Sequence, residues 1–278
     1  MLFDKIKLQI KSGGEILIDL DDALDFTKEL AKKVGRIQKK KFRENFKVST
    51  KSSEADLVTE VDILSEKIIR EGIGEKYPDH NILGEEEGRS DRNSDYTWIV
   101  DPLDGTNNFA VGYPIYSVSI ALQYKDQIVL GVIYLPERDE IYFAAKDKGA
   151  FSEHKKIEVS EESSLSRSIL ATGFPYDKQE SEIDNLTPFR LIAKQCRGIR
   201  RSGSAAFDLL CVASGILEAV WEFKLSEWDI AAGKILIREA GGEVFETQIN
   251  GSSLIIAGSK KIVQKLKKII EDVYQLEI

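Results

Sequence analysis

Sulfur and imidazole are scarce in this chain of 278 residues, which has two cysteines, two histidines and one methionine. Cys196 and Cys211 cannot build a disulfide framework, and their spacing matches no zinc motif. Cys211 stands among Leu209, Leu210 and Val212, where a thiol serves as a small buried hydrophobe. His80 and His154 are too few for a histidine-based nucleophile relay or a multi-imidazole metal site. Proton or metal chemistry must therefore rest on carboxylates and hydroxyls. Only six prolines and no low-complexity tract exclude a disordered or fibrous chain. No apolar run is long enough to cross a bilayer, and Asp4, Lys5 and Lys7 spoil a signal peptide. The expected compartment is the cytoplasm, without a membrane partner. Excess positive charge is also lacking, since 39 basic against 47 acidic residues leave −8. That balance argues against nucleic acid as the main partner, and the basic run Lys39 to Lys41 with Arg43 reads as a solvated helix end.

What is present is an alternation of helical and strand-like segments. The first twenty residues read as a strand-like prelude broken by Gly13 and Gly14. Ala23, Phe26, Leu30, Val34 and Ile37 recur at steps of three and four, one face of a long helix. Residues 45–59 are polar and read as a loop ending in Asp56-Leu57-Val58-Thr59. A second helix follows, with Val61, Leu64 and Ile68 on its apolar face, stopping before Tyr77-Pro78. Short apolar runs from Tyr116 to Phe151 predict an antiparallel meander of about four strands. Downstream, helices over 189–194, 204–214 and 228–240 interleave with strands over 169–172, 242–245 and 254–257. Gly241-Gly242 ends the third of these helices, and a last helix carries Ile262, Leu266, Ile269 and Val273 on one face. The expectation is an α+β layered sandwich in one unit over 21–278, loosely divided into 21–152 and 153–278. Residues 1–20 form an extension with no assigned role.

Chemistry concentrates in Trp98-Ile-Val-Asp101-Pro-Leu103-Asp104-Gly105-Thr106-Asn-Asn-Phe109. A strand ending at Asp101, with Pro102 leaving the ladder and Gly105 turning tightly, brings two carboxylates to one rim of a sheet. A helix beginning after Gly105 would aim the N–H groups of Gly105 and Thr106 at an anion. Taken singly, each of these residues is also an ordinary turn or cap residue. Glu85 and Glu86 end another strand before Gly88, and alternation sends adjacent side chains to opposite sides unless the strand has already ended. Asp229 follows Trp228 at a helix start, where an acidic cap is ordinary. As a set, oxygen ligands without nearby His or Cys suit a hard cation such as Mg²⁺.

These motifs carry a resemblance. The central segment, preceded by Gly84-Glu-Glu86 and followed by Trp228-Asp-Ile-Ala-Ala-Gly233, resembles the inositol monophosphatase family of lithium-sensitive, magnesium-dependent phosphatases. Asp56-Leu-Val-Thr-Glu-Val-Asp62, Thr172-Gly-Phe-Pro175 and Arg200-Arg-Ser-Gly-Ser-Ala-Ala206 match in the same order. The resemblance implies a layered αβαβα sandwich of the inositol monophosphatase and fructose-1,6-bisphosphatase type, and a homodimer. It implies two or three Mg²⁺ per site, held by Glu85, Asp101, the Leu103 carbonyl, Asp104 and Asp229, with Glu86 and Asp56 near a third. Thr106 with Glu85 would orient and deprotonate the attacking water. The Gly105 and Thr106 amides would hold phosphate, and Gly203, Ser204, Ala205 and Glu222 would line a polyol pocket beside Asp229. Inositol 1-phosphate is the default substrate. Fructose 1,6-bisphosphate is the nearest rival, with Arg200 or Arg201 meeting its second phosphate. A nucleotide 3′-phosphatase fits less well, because Asn107-Asn108 stands where such members carry Lys-Glu. A binding or regulatory protein that kept the fold and lost hydrolysis is the alternative of another class.

Overall fold

Asp19 starts the first helix, α1 (Leu20–Lys41), by accepting from the N–H groups of Asp21 and Asp22 at 3.0 and 3.3 Å. Acids in its first turn and Lys39 to Lys41 in its last both oppose the helix dipole. The computed structural model describes residues 18–51, 56–153 and 155–275, so most of the expected N-terminal prelude, and His154, lie outside the described residues. The buried face of α1 holds Ala23, Leu30 and Val34 as expected, together with Gly35 and Gln38. Where the sequence suggested only loop, β1 (Val48–Thr50) and β2 (Leu57–Thr59) form an antiparallel ribbon. Thr59 then caps α2 (Glu60–Lys76) in a capping box with Asp62. The buried face of α2 differs from the expected one: Val61 is buried, but Leu64 is exposed and Asp62, Ser65 and Glu66 lie inside with Ile69 and Ile73.

Next come β3 (Asn81–Gly84), β4 (Gly88–Ser90), β5 (Tyr96–Asp104) and the short α3 (Thr106–Ala110). The expected meander follows as β6 (Ser117–Tyr124), β7 (Gln127–Leu135), β8 (Glu140–Ala145) and β9 (Gly149–Ser152), extended by β10 (Lys155–Ile157). These strands form an eight-stranded sheet in the order β10-β9-β8-β7-β6-β5-β3-β4. Contrary to the expectation, β5 does not end at Asp101. It continues to Asp104 through an irregularity in which Asp101 faces Ser119 and Asp104 faces Ser117. The Pro102 carbonyl, displaced from the ladder there, accepts from Gln38 Nε2 at 2.6 Å.

The remaining elements are β11 (Ile169–Thr172), α4 (Leu186–Ala193), β12 (Gly198–Arg200), α5 (Ala205–Ala213), β13 (Ala219–Phe223), α6 (Glu227–Glu239), β14 (Glu243–Ile249), β15 (Ser252–Gly258) and α7 (Lys260–Tyr274). Their five-stranded sheet has the order β12-β11-β13-β15-β14. Three apolar cores separate the layers. One lies between α1 and α2 and the large sheet around Trp98, Val118 and Ile120. The middle one joins α5 and α6 to both sheets through Ile99, Ile133, Leu236 and Val220, with Cys211 buried in it as a small hydrophobe. The outer one packs α4 and α7 on the small sheet around Trp221, Ile256 and Leu266. The stacking is helix, sheet, helix, sheet, helix, an α+β layered fold.

Candidate active site

Strand ends and helix starts from both sheets meet at a cleft of about 690 Å³. It is lined by every expected site residue except Glu86: Asp56, Glu85, Asp101, Leu103, Asp104, Gly105, Thr106, Gly203, Ser204, Ala205, Glu222 and Asp229. Gly105 is the N-cap of α3 with φ +96°, a left-handed turn that favours glycine. Through it the chain passes directly from the end of β5 into a helix.

Asp101 is buried, and one of its oxygens accepts from the Leu103 N–H at 3.0 Å. Burial raises its pKa well above the usual range, and the negative charges of Glu85, Asp104 and Asp229 add to the shift. Asp104 is more fully satisfied. It accepts from Ser117 Oγ at 3.1 Å, from the Ala205 and Ala206 N–H groups at 3.0 and 3.1 Å, and from Ser204 Oγ. Burial still raises its pKa, against these hydrogen bonds. Ser204 and Ala205, expected at a polyol, thus line the cleft while donating to Asp104. Asp229 is not the cap of α6 but its third residue, accepting from the Ser226 N–H at 2.7 Å in a capping box. Burial dominates its upward shift, with Glu85 contributing.

Glu85 and Glu86 do not diverge, because β3 has already ended at Gly84. Both meet the Lys51 ammonium, at 2.7 and 2.6 Å. Burial acts to lower the Lys51 pKa, but the two carboxylates outweigh it and hold it raised. Glu86 is nevertheless pushed up to about 7, chiefly by burial. One ammonium does not neutralise this end of the cleft. Among the described residues no three His, Cys, Asp or Glu side chains are drawn together tightly enough to grip an ion. The fit to a cation is instead chemical: oxygen donors only, with Asp101, Asp104 and Asp229 raised chiefly by burial and a lysine ammonium already seated between Glu85 and Glu86.

Sequence reasoning gave Asp62 no role, yet it organises the hydroxyl at the cleft floor. Thr106 Oγ1 lies 2.6 Å from Asp62 Oδ1 and 3.0 Å from the Leu103 carbonyl, two acceptors competing for one proton. Asp62 is held in turn by the Thr59 N–H at 2.9 Å and by the Thr59 hydroxyl. Burial raises its pKa against all of these donors. The signals in the sequence were the Thr59-to-Asp62 capping spacing, which also suits an ordinary helix start, and the family-like string Asp56 to Asp62, within which Asp62 was given no role of its own. Lys51 was missed for a similar reason, since it stood in a stretch read as polar loop.

At the opposite end Glu222 is buried, and burial, then Asp208 and Asp229, raise its pKa well above the usual range. Gly173 makes room for it, because a Cβ there would lie 2.0 Å from Glu222 Oε2. Asp208 lies beside it with Oδ1 unpartnered and its pKa pushed up to about 7, mainly by burial. Of the two candidate arginines, Arg201 lines the cleft, whereas exposed Arg200 donates to the Ile199 carbonyl at 3.2 Å.

Residues 19–276 match the inositol monophosphatase family. The chain is 43% identical over 225 residues to the Nus factor SuhB of Pseudomonas aeruginosa, covering 78% of this chain and 83% of that one. It is 37% identical over 247 residues to the fructose-1,6-bisphosphatase/inositol-1-monophosphatase of Aquifex aeolicus, covering 87% and 91%. The structure of inositol monophosphatase from Anabaena superposes with a TM-score of 0.82 at 36% identity, covering 92% of this chain and 97% of that one. The chain belongs to the inositol monophosphatase family.

Proposed function

We propose that this protein is an Mg²⁺-dependent phosphomonoesterase acting on a small polyol or sugar phosphate, with inositol 1-phosphate as the first substrate to test. The family is one of phosphatases that generally use divalent metal ions. The observation that carries the reading is the conjunction of mutually repelling Glu85, Asp101 and Asp229, Asp101 fully buried among them, with a threonine hydroxyl held by buried Asp62. Glu85, Asp101, the Leu103 carbonyl, Asp104 and Asp229 would hold Mg²⁺, with Glu86 and Asp56 at a further position. Bound there, Mg²⁺ neutralises phosphate charge and makes water a better nucleophile. With its own proton on Asp62, Thr106 Oγ1 accepts from the attacking water and orients it in line with the ester, while Glu85 takes up the proton. The Gly105 and Thr106 amides bind phosphate oxygens. Glu222, with Gly203, Ser204 and Ala205, receives the hydroxyls of the leaving group.

A second reading, action on fructose 1,6-bisphosphate, is favoured by the Aquifex relative and by Arg201 in the cleft. Against it, Asp208 and Glu222 stand close to that arginine and oppose a second phosphate. The Nus factor name of the Pseudomonas relative raises a partner-binding role without hydrolysis, which the intact set of site residues argues against. We also assign the protein to the cytoplasm as a homodimer, in accord with exposed Val111 and Tyr113 beside α3. Among the described residues no helix is long and apolar enough to cross a membrane. The test is phosphate release from inositol 1-phosphate, fructose 1,6-bisphosphate and phenyl phosphate with Mg²⁺ and with EDTA. Release that is strongest on inositol 1-phosphate and absent in EDTA is expected. Equal release in EDTA would remove the metal from the reading, and no release on any substrate would remove hydrolysis.

A further inference from the structure

The backbone turn that carries Glu85 and Glu86 is tied down by a buried acid outside the cleft. Glu66, on α2, has no exposed surface. Its Oε2 accepts from the Glu86 N–H at 2.7 Å, and its Oε1 accepts from the Glu87 N–H at 3.0 Å. Arg70, one helical turn on, donates from Nε to Glu66 Oε1 at 2.7 Å and from Nη2 to the Gly88 carbonyl. Gly84 and Gly88 face each other where β3 meets β4, and this pair holds the turn between them at the Glu86 and Glu87 N–H groups and the Gly88 carbonyl. Gly84 is part of the device, because a Cβ there would lie 2.2 Å from Glu66 Oε1 and 2.8 Å from Arg70 Nη2.

Three physical points give the arrangement its meaning. A buried carboxylate is costly unless it is paired and its oxygens are hydrogen-bonded, and here both conditions are met. Two successive N–H groups converging on one anion fix the backbone between them more tightly than a single bond does. Finally, an extended chain would point Glu85 and Glu86 to opposite sides. Instead one oxygen of each reaches the same ammonium, at 2.7 and 2.6 Å. The backbone that allows this is the backbone Glu66 holds.

We propose that Glu66, oriented by Arg70, is a positioning residue for the divalent-cation site: it fixes the Glu85–Glu87 turn in the conformation that presents Glu85 and Glu86 to one cation. The proposal rests on the reading of Glu85 as a metal ligand. Glu66 touches neither substrate nor cation, and its effect passes through two backbone N–H groups. Supports of this kind, one step behind the ligands, commonly change metal affinity 10- to 100-fold when removed.

The experiment titrates the whole protein with Mn²⁺, used in place of Mg²⁺, and follows free Mn²⁺ by electron paramagnetic resonance, alongside thermal melts in EDTA. Glu66→Gln sets an amide NH₂ against an N–H that has lost its acceptor. Gly84→Ala displaces the same carboxylate without changing any charge. Glu71→Gln, on the exposed side of α2, is the control. Expected is a 10- to 100-fold weaker Mn²⁺ affinity in both Glu66→Gln and Gly84→Ala, with the control unchanged. A lower melting temperature with wild-type affinity in both variants makes Glu66 a fold residue and overturns the proposal. If Glu66→Gln does not fold, Gly84→Ala decides by the same two measurements. A wild-type protein that binds no Mn²⁺ overturns the metal reading and this proposal with it, whereas wild-type binding with unaltered variants overturns the positioning role alone.

Discussion

Helices α2 and α7 are both amphipathic, but they bury different chemistry. The inward face of α7 is wholly apolar, with Ile262, Val263, Leu266 and Ile270 packed on the small sheet. The inward face of α2 mixes Val61, Ile69 and Ile73 with Asp62, Ser65 and Glu66. Apolar periodicity therefore locates α7 correctly and places α2 on the wrong face, leaving Leu64 in solvent. The difference is one of task. A helix that only fills space follows the hydrophobic effect, and a helix that serves a polar site buries acids wherever partners await them.

The sharpest way to break this comparison is at Asp62. Asp62→Asn keeps the volume, but its NH₂ can donate to Thr106 Oγ1, and the threonine proton then moves to the Leu103 carbonyl. The oxygen that orients water loses its lone pair to the wrong partner. We expect kcat on inositol 1-phosphate to fall by about 10²- to 10⁴-fold with KM little moved, the range for loss of a proton-positioning group. The melting temperature in EDTA should hold or rise, because a buried carboxylate driven toward neutrality has been replaced by a neutral group. Steady-state kinetics beside a thermal melt checks both. A variant that unfolds while turning over normally per folded molecule would make Asp62 a capping residue and erase the distinction between the helices.

The reciprocal change is Leu266→Ala. Leu266 is fully buried among apolar neighbours, so truncation should cost about 2–5 kcal/mol of stability. At a temperature where the variant is folded, kcat should match that of the wild type. Urea denaturation with activity measured below the transition tests this. A tenfold fall in kcat would tie α7 to the site and contradict its purely structural reading.

What the sequence made legible follows the same division. The meander β6 to β9 and the amphipathic α1 and α7 were readable because apolar spacing alone specifies them, whereas the order of the layers came from the family resemblance. The rim carboxylates Glu85, Asp101, Asp104 and Asp229 were readable because they sit in strings that bear a family resemblance. Asp62, although it ends a string of the same kind, and Glu66 and Lys51 were given no role, since their meaning depends on residues distant in the chain: Thr106 for Asp62, the Glu86 and Glu87 amides for Glu66, and Glu85 with Glu86 for Lys51. The irregularity at Pro102 misled for a related reason. Proline argues for leaving the ladder, but Gln38 from α1 takes up the displaced carbonyl and the strand continues.

The acids also predict how stability changes with pH in the metal-free protein. Asp62, Asp101 and Glu222 are raised by burial, and Glu86 and Asp208 are pushed up to about 7. A raised carboxyl holds its proton in the fold where the unfolded chain has released it, so its contribution is present at low pH and is lost as pH rises. In EDTA, stability should decline from about pH 4, the ordinary carboxyl range, to about pH 8, the value to which burial pushes Asp229. Saturating Mg²⁺ should flatten the decline and Asp62→Asn should reduce it, whereas Leu266→Ala should shift the whole curve without changing its slope. Urea titrations at several pH values supply the measurement. A slope indifferent to Mg²⁺ would mean that the cleft acids are not what the cation relieves.

The smallest effect is expected just beyond the C-terminal end of α2, where His80 follows the helix. Its ring stacks between Tyr77 and Tyr96, with centroids 4.9 and 4.6 Å away, and its Nδ1 accepts from Trp98 Nε1 at 3.1 Å. An Nδ1 that accepts from an indole N–H carries no proton, so the ring is neutral with its hydrogen on Nε2. Burial lowers the His80 pKa and the charge of Asp79 opposes the shift, while Tyr77 and Tyr96 are the other titratable groups facing the ring. A lowered histidine contributes stability above its unfolded value of about 6.5 and loses it as pH falls toward the folded value. Its slope is therefore opposite in sign to that of the cleft acids, and the two overlap. Saturating Mg²⁺ suppresses the acid slope and leaves the histidine visible. Under that condition His80→Gln, whose amide oxygen can still accept from Trp98, should lose less stability between pH 7 and pH 5 than the wild type. Equal losses in the two proteins would show that the stacked ring does not titrate with folding, and would restrict the pH response of this half of the molecule to acids such as Asp62, Glu86 and Asp101.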